Sequence, residues 1–148
     1  MLQRIPLANC GRAYDLGCGT GHVTYLLSDR WPSAKVTGID DSPEMLAHAR
    51  SEFPDLDWVE ADIAAWRAPA PADLIFSNAA LQWVPNHSSV LPDLLQQVRA
   101  GGVLAVQMPH HVAVSYTHLD VYKRQVQNLA LIFAIRARSN RAEASRVT

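Results

Sequence analysis

The sequence predicts an α/β protein in which a doubly wound parallel sheet carries helices on both faces. Three observations point there. Short apolar runs alternate with helical patterns over the first 108 residues. The apolar runs are nearly unbroken rather than alternating, as strands buried on both faces require. The carboxyl ends of the first four runs carry polar residues, Asp15, Asp40, Asp62 and Asn78. In open parallel sheets a ligand sits beyond the carboxyl ends of the strands. Four polar groups on one sheet edge therefore mark a candidate site.

The elements follow in order. Arg12 to Leu16 reads as the first strand and stops at Gly17-Cys18-Gly19-Thr20-Gly21. Val23 to Arg30 reads as a helix with Val23, Leu26 and Leu27 at helical spacing, ended by Trp31-Pro32-Ser33. Lys35 to Ile39 is the second strand, closed by Asp40-Asp41. Ser42-Pro43-Glu44 opens a helix with a serine cap and proline at the first helical position. Met45, Leu46 and Ala49 supply its apolar face. Leu56 to Ala61 and Ala72 to Ser77 are the third and fourth strands. Ser88 to Arg99 reads as a helix with Leu91, Leu94, Leu95 and Val98 inward. Ala100-Gly101-Gly102 turns it into a fifth strand, Val103 to Met108.

Composition removes several classes of function. A chain of 148 residues suits one core. A formal net charge of −1 gives no basic footprint for nucleic acid or an anionic membrane. No apolar run is long enough to span a bilayer, and the first residues lack the apolar core of a secretion signal. Two cysteines, Cys10 and Cys18, make neither a disulfide framework nor a zinc site alone. A cytoplasmic monomer acting on a small molecule is expected. No metal site is expected, because the adjacent His110 and His111 point opposite ways in an extended segment. His87 reads as a loop residue.

A strand that runs through glycines into a helix lets an anionic or polar ligand approach the backbone. The spacing Gly17-x-Gly19-x-Gly21 lacks the later third glycine of the dinucleotide fingerprint, and no Lys-Ser or Lys-Thr pair follows. The loop is either a ligand cradle or a tight connection. Asp40, ending the second strand, can grip a ribose diol or cap the helix with Ser42. Asp62, ending the third, can accept from an adenine amino group or cap the turn Ile63 to Trp66. Each residue has two uses; the combination at successive strand ends favours a nucleoside-bearing ligand.

Asp15-Leu16-Gly17-Cys18-Gly19-Thr20-Gly21, Gly38-Ile39-Asp40 and Glu60-Ala61-Asp62-Ile63 resemble the successive motifs of class I S-adenosylmethionine-dependent methyltransferases. The likeness sharpens to the trans-aconitate 2-methyltransferase family through Arg30-Trp31-Pro32, Ser42-Pro43-Glu44-Met45, Phe76 to Trp83, and Gly102 to Pro109. It covers Ile5 to about Pro109. It implies a Rossmann-like sheet, of which this chain would supply about five of seven strands. It also implies S-adenosyl-L-methionine as cofactor. Asp15, Gly17, Gly19 and Gly21 would line its methionine part. Asp40 would hold the ribose, and Asp62 with Ile63 the adenine. Asn78 would lie near the methionine or the transferred methyl, and Gln82 and Trp83 would edge the substrate pocket. No catalytic residue is assigned. Thr20 and His22-Val23, and later His110-His111, depart from the family pattern and leave the subtype open.

Val114 to Gln125 matches no element of that family. It resembles the translation of a transposon end used to prepare sequencing libraries, whose DNA would be an inverted repeat across Ala113 to Gln125. The expected division is therefore a methyltransferase part at 1–112, an adapter-derived stretch at 113–125 and an unrelated tail at 126–148. The tail, apolar from Val126 to Arg138, is expected to form a helix if it is ordered, and the last two family strands are expected to be missing. The expected activity of the parent protein is methyl transfer from S-adenosylmethionine to a carboxylate of a small polycarboxylic acid, with this chain inactive. The alternatives are another small-molecule methyltransferase of the same fold, or a non-catalytic nucleotide-binding fragment.

Overall fold

The computed structural model describes residues 2–109, 124–126 and 130–136. A short 3-10 turn, Leu2–Arg4, precedes β1 (Arg12–Leu16), α1 (His22–Arg30), β2 (Lys35–Asp40), α2 (Pro43–Glu52) and β3 (Asp57–Glu60). Then come β4 (Ala72–Asn78), a 3-10 turn at Leu81–Trp83, α3 (His87–Gln96), β5 (Val98–Pro109), β6 (Arg124–Val126) and β7 (Ala130–Arg136). The sheet order is β3-β2-β1-β4-β5-β7-β6. β1 to β5 pair in parallel. The chain runs outward from β1 through β2 to β3, then returns to β4 on the other side. The strand order thus reverses between β1 and β4, where a parallel sheet opens a crevice at its carboxyl edge.

The α/β reading and the five parallel strands are as expected. β5 is nevertheless not the edge of the sheet. β7 pairs antiparallel with β5 from Val103↔Arg136 to Pro109↔Ala130, and β6 pairs antiparallel with β7. The tail segment expected to be a helix is thus a strand over Ala130–Arg136. An edge strand offers unpaired N–H and C=O groups to any extended neighbour, and a run of Leu, Ile and Phe is well suited to that. Helical spacing could not foresee a partner ten or more residues away. The expected adapter stretch lies largely outside the described residues, as do His110 and His111.

Both faces of the sheet are covered. On the α1 face, Leu27 and Trp31 pack on Val36, Leu74, Phe76 and Ala105. On the α3 face, Leu91 and Leu94 pack on Leu16, Ile75 and Leu104. Each buried Leu, Ile, Val or Phe among these contributes about 1.5–3 kcal/mol by leaving water. The edge strand β3 departs from the all-buried reading: Val59 is exposed and Trp58 half-buried. Two helix faces differ in detail. In α1 the buried residues are Thr24 and Leu27, with Leu26 exposed. In α2 they are Leu46 and Ala49, with Met45 exposed. Ser42 caps α2 as predicted, accepting from the Met45 N–H at 3.3 Å.

α3 stops at Gln96, and Val98 to Gly102 belong to β5 rather than to a helix and turn. The reason is a bulge. Ala72 pairs with Val98, yet Leu74 pairs with Val103, so β5 carries extra residues there. Asp73, opposite the bulge, accepts from the Gly11 and Arg12 N–H groups and from the Arg99 guanidinium. Burial opposes its ionisation, but these donors outweigh burial and hold the carboxyl below its ordinary range. No sequence pattern marked Asp73, because its partners come from distant elements.

Candidate functional site

The strand ends meet at the β1–β4 reversal. After Leu16 the backbone turns through Gly17, whose φ is +71°. A side chain there would stand 2.1 Å from the Ala80 Cβ, and the Ile63 Cδ1 lies 3.5 Å from the same point. Gly17 is thus the close-approach position at which the β1 loop, the β4 exit and Ile63 meet. Gly19 differs. Its φ is also positive, at +55°, but a Cβ there would meet nothing within 4 Å. The loop is packed at Gly17 and open at Gly19. The far side of the loop is closed by Trp58, whose ring occupies the Cβ positions that Gly21 and Gly38 lack. Its indole N–H donates to the Phe53 carbonyl at 3.2 Å.

Asp40 crosses the open side. Its Oδ2 accepts from the Gly19 N–H at 2.8 Å and its Oδ1 from the Ser42 N–H at 3.0 Å. Both suggested uses of Asp40 are therefore compatible: it steadies the start of α2 and lies beside the open glycine. Asp15 lies one layer deeper and is 1% exposed. Its Oδ2 accepts from the Thr24 hydroxyl at 2.7 Å. Burial raises its pKa to about 7, opposed by the Thr24 hydrogen bond and assisted by the charge of Asp40. Cys18, buried in the loop, is pushed up by burial and by Asp15 and Asp40. Its thiol is no nucleophile. Asp40 is thus the carboxylate placed beside the open glycine, with Asp15 beneath it.

Asp62 is exposed, and its Oδ1 accepts from the Ala64 N–H at 2.8 Å. This is the turn-capping use; Ile63, its neighbour, reaches the mouth. Asn78 ends β4 beside Gly17. Beyond it Ala79 has a positive φ of 54°. Gln82 donates from Nε2 to the Ala79 carbonyl at 2.6 Å. Trp83 is 82% exposed and touches no core. The structure thus gathers Asp15, Gly17, Gly19, Gly21, Asp40, Ile63 and Asn78 around one crevice. Asp62 and Trp83 stand at its outside. His87, expected in a loop, opens α3 and its Nε2 lies 2.5 Å from the Leu81 carbonyl. Among the described residues no group of three His, Cys, Asp or Glu could hold a metal ion. No helix among them is long and apolar enough to cross a membrane.

Sequence reading missed Thr24, Trp58 and Ala80. Thr24 carried a signal: a polar residue at helical spacing from Leu27. Trp58 and Ala80 carried none, because their role is to fill the space that glycines on other elements leave.

A family model described as a methyltransferase domain matches residues 13–102. The chain belongs to that methyltransferase domain family. Among curated relatives, a trans-aconitate 2-methyltransferase of Azoarcus sp. (strain BH72) is 51% identical over 111 residues, 75% of this chain and 44% of the relative. One of Escherichia coli (strain 55989 / EAEC) is 53% identical over 109 residues, 74% of this chain and 43% of the relative. The chain spans less than half the length of these relatives. Among solved structures, an S-adenosylmethionine dependent methyltransferase from Mesorhizobium loti is 30% identical with a TM-score of 0.64, over 71% of this chain and 50% of that one. A Haemonchus contortus phosphoethanolamine N-methyltransferase 2 in complex with S-adenosyl-L-methionine has a TM-score of 0.67 at 21% identity, over 77% of this chain and 28% of that one. That likeness speaks for the fold. This methyltransferase domain places its glycine loop and acidic strand ends in the crevice where its fold puts a ligand.

Proposed function

We propose that the protein transfers a methyl group from S-adenosylmethionine to a carboxylate oxygen of a small polycarboxylic acid, with trans-aconitate as the first candidate. The observation that carries the reading is the open face of Gly19 beside the Asp40 carboxylate. The names of the most similar curated relatives supply the acceptor.

The residues present fit the cofactor. Asp40 keeps lone pairs for two ribose hydroxyls while holding the Gly19 and Ser42 N–H groups. Asp15, Gly17, Gly19 and Gly21 line the methionine part, and the Asp40 carboxylate beside Gly19 favours its positive charges. Ile63 offers an apolar face to the adenine, with Asp62 at the rim. Asn78 stands toward the methyl, and Gln82 and Trp83 edge the acceptor pocket. When bound, the cofactor supplies a methyl group on a positively charged sulfur with a good leaving group. With that group bound, an acceptor carboxylate would be the nucleophile toward the methyl group, and no residue of this chain would need to take up a proton. An acceptor already ionised at neutral pH needs no general base. The protein's task is alignment and exclusion of water.

The reading makes the protein a cytoplasmic monomer that acts on a small molecule, with no nucleic-acid or membrane partner. It takes residues 1–112 as the methyltransferase part, 113–125 as an adapter-derived stretch and 126–148 as unrelated. The extent of similarity to the relatives, 109 to 111 residues, supports that division. Calorimetric titration with S-adenosylmethionine and S-adenosylhomocysteine tests the cofactor; binding that weakens in Asp40→Ala is expected, and no binding overturns the reading. An independent read of the genomic DNA across residues 109–126 tests the division. A family-like continuation there supports it, and an unchanged sequence overturns it.

A further inference from the structure

The register of the sheet sets a row of residues along its carboxyl edge. Leu16 pairs with Ile39 on one side and Ser77 on the other. One step on, Gly17 therefore lies between Asp40 and Asn78, and Asn78 pairs with Gln107 on β5. These four share a face, because two residues earlier each strand has Gly38, Asp15, Phe76 and Ala105, of which Phe76 and Ala105 pack under α1. Asp40, Gly17 and Asn78 are already read as cofactor positions. Gln107 is the next position in the same row, one strand spacing of about 4.8 Å beyond Asn78 and away from the ribose end.

Gln107 also has an unmet need. Its Oε1 is buried and has no hydrogen-bond partner. The Gln82 Oε1 is buried and unpartnered too. Both glutamines bind the Ala79 peptide from opposite sides: the Ala79 N–H donates to the Gln107 carbonyl at 2.9 Å, and its carbonyl accepts from Gln82 Nε2 at 2.6 Å. The Gln82 amide is thereby fixed. That of Gln107 has no bond to fix it, so it can turn either its NH₂ or its oxygen to a ligand. A buried amide left unsatisfied is costly, and native structures rarely tolerate one that nothing fills.

We propose that Gln107 is a positioning residue for the methyl acceptor, its amide turned over so that the NH₂ takes the place of the unpartnered oxygen and donates to a carboxylate of the acid. The inference rests on the proposed function above and adds to it a residue and a part of the pocket. A neutral amide suits the task. It orients an ionised carboxylate without pairing its charge, and it keeps no hold on the uncharged ester that forms.

The test uses the full chain and calorimetry with trans-aconitate in the presence of saturating S-adenosylhomocysteine. Gln107→Glu keeps the shape but opposes an anion; it should weaken acid binding at least tenfold and leave S-adenosylhomocysteine affinity within twofold. Gln107→Met separates this from a structural role, because removing an unsatisfied buried amide should hold or raise Tm while acid binding is still lost. Equal acid binding by all three proteins, or no acid binding by the parent once S-adenosylhomocysteine is bound, overturns the role of Gln107 and leaves the cofactor reading standing. A lowered Tm in Gln107→Met with unchanged acid binding also overturns it. If S-adenosylhomocysteine does not bind, the proposed function fails and this inference fails with it.

Discussion

The two sides of the crevice are built differently. On the β1–β2 side both carboxylates have partners: Asp15 with Thr24, Asp40 with Gly19 and Ser42. On the β4–β5 side two amide oxygens are buried without partners, and Trp83 stands out in solvent. The first side is a finished cradle, built from the β1 loop, the end of β2 and the first turns of α1 and α2. The second leaves two buried amide oxygens unsatisfied among the described residues. A site can thus be preorganised for one ligand and only sketched for another, within the same sheet edge.

That contrast can be broken at its tightest point. Gly17→Val forces a Cβ into Ala80 at a positive φ. Overpacking and the backbone penalty together should cost about 3 kcal/mol or more, read as a fall in the denaturant midpoint. Gly19→Val at the open position should cost only about 1–2 kcal/mol of backbone strain, with helix content kept and cofactor binding lost. Equal destabilisation by the two would show that the loop is uniformly packed and offers no opening.

Asp15 sharpens the electrostatic side. Its folded pKa, about 7, is above the value near 3.8 of an exposed carboxyl. Between about pH 4 and 7 the unfolded chain has therefore released a proton that the folded chain still holds. Stability should be full at the acid end of that window and fall as pH rises through it. Asp15→Asn should flatten this fall, by on the order of a few kcal/mol at pH 8. A pH–stability curve that the variant leaves unchanged would remove Asp15 as the titrating group.

Smaller effects test the cofactor contact and the unfinished side. Asp40→Ala should lose about 1.5–3 kcal/mol of S-adenosylmethionine binding, because ribose hydroxyls lose a charged acceptor. Trp83→Ala should change Tm within the range of an ordinary surface substitution, about 0.5 kcal/mol or less. A large loss of stability there would mean that Trp83 is packed, and the contrast between the two sides would weaken.

The sequence by itself determined the local pieces. A strand that stops in glycines, a serine-capped helix with proline at its first position, and acidic residues at successive strand ends are set by side-chain period, capping and backbone freedom among near neighbours. That is why the order of β1 to β5 along the chain and the Ser42 cap of α2 were legible. Tertiary structure decided whatever depends on residues far apart in the chain. Trp58 roofs Gly21 and Gly38 because β3 pairs beside β2. Val98 leaves the helix because a bulge opposite Asp73 places it in β5. Ala130–Arg136 is a strand rather than a helix because the β5 edge offers it a ladder of hydrogen bonds. Gln107 joins the row at the crevice only through the register of β5 against β4. Pairing across a sheet is a long-range choice made by complementary backbone edges and packed faces, and no window of neighbouring residues contains it.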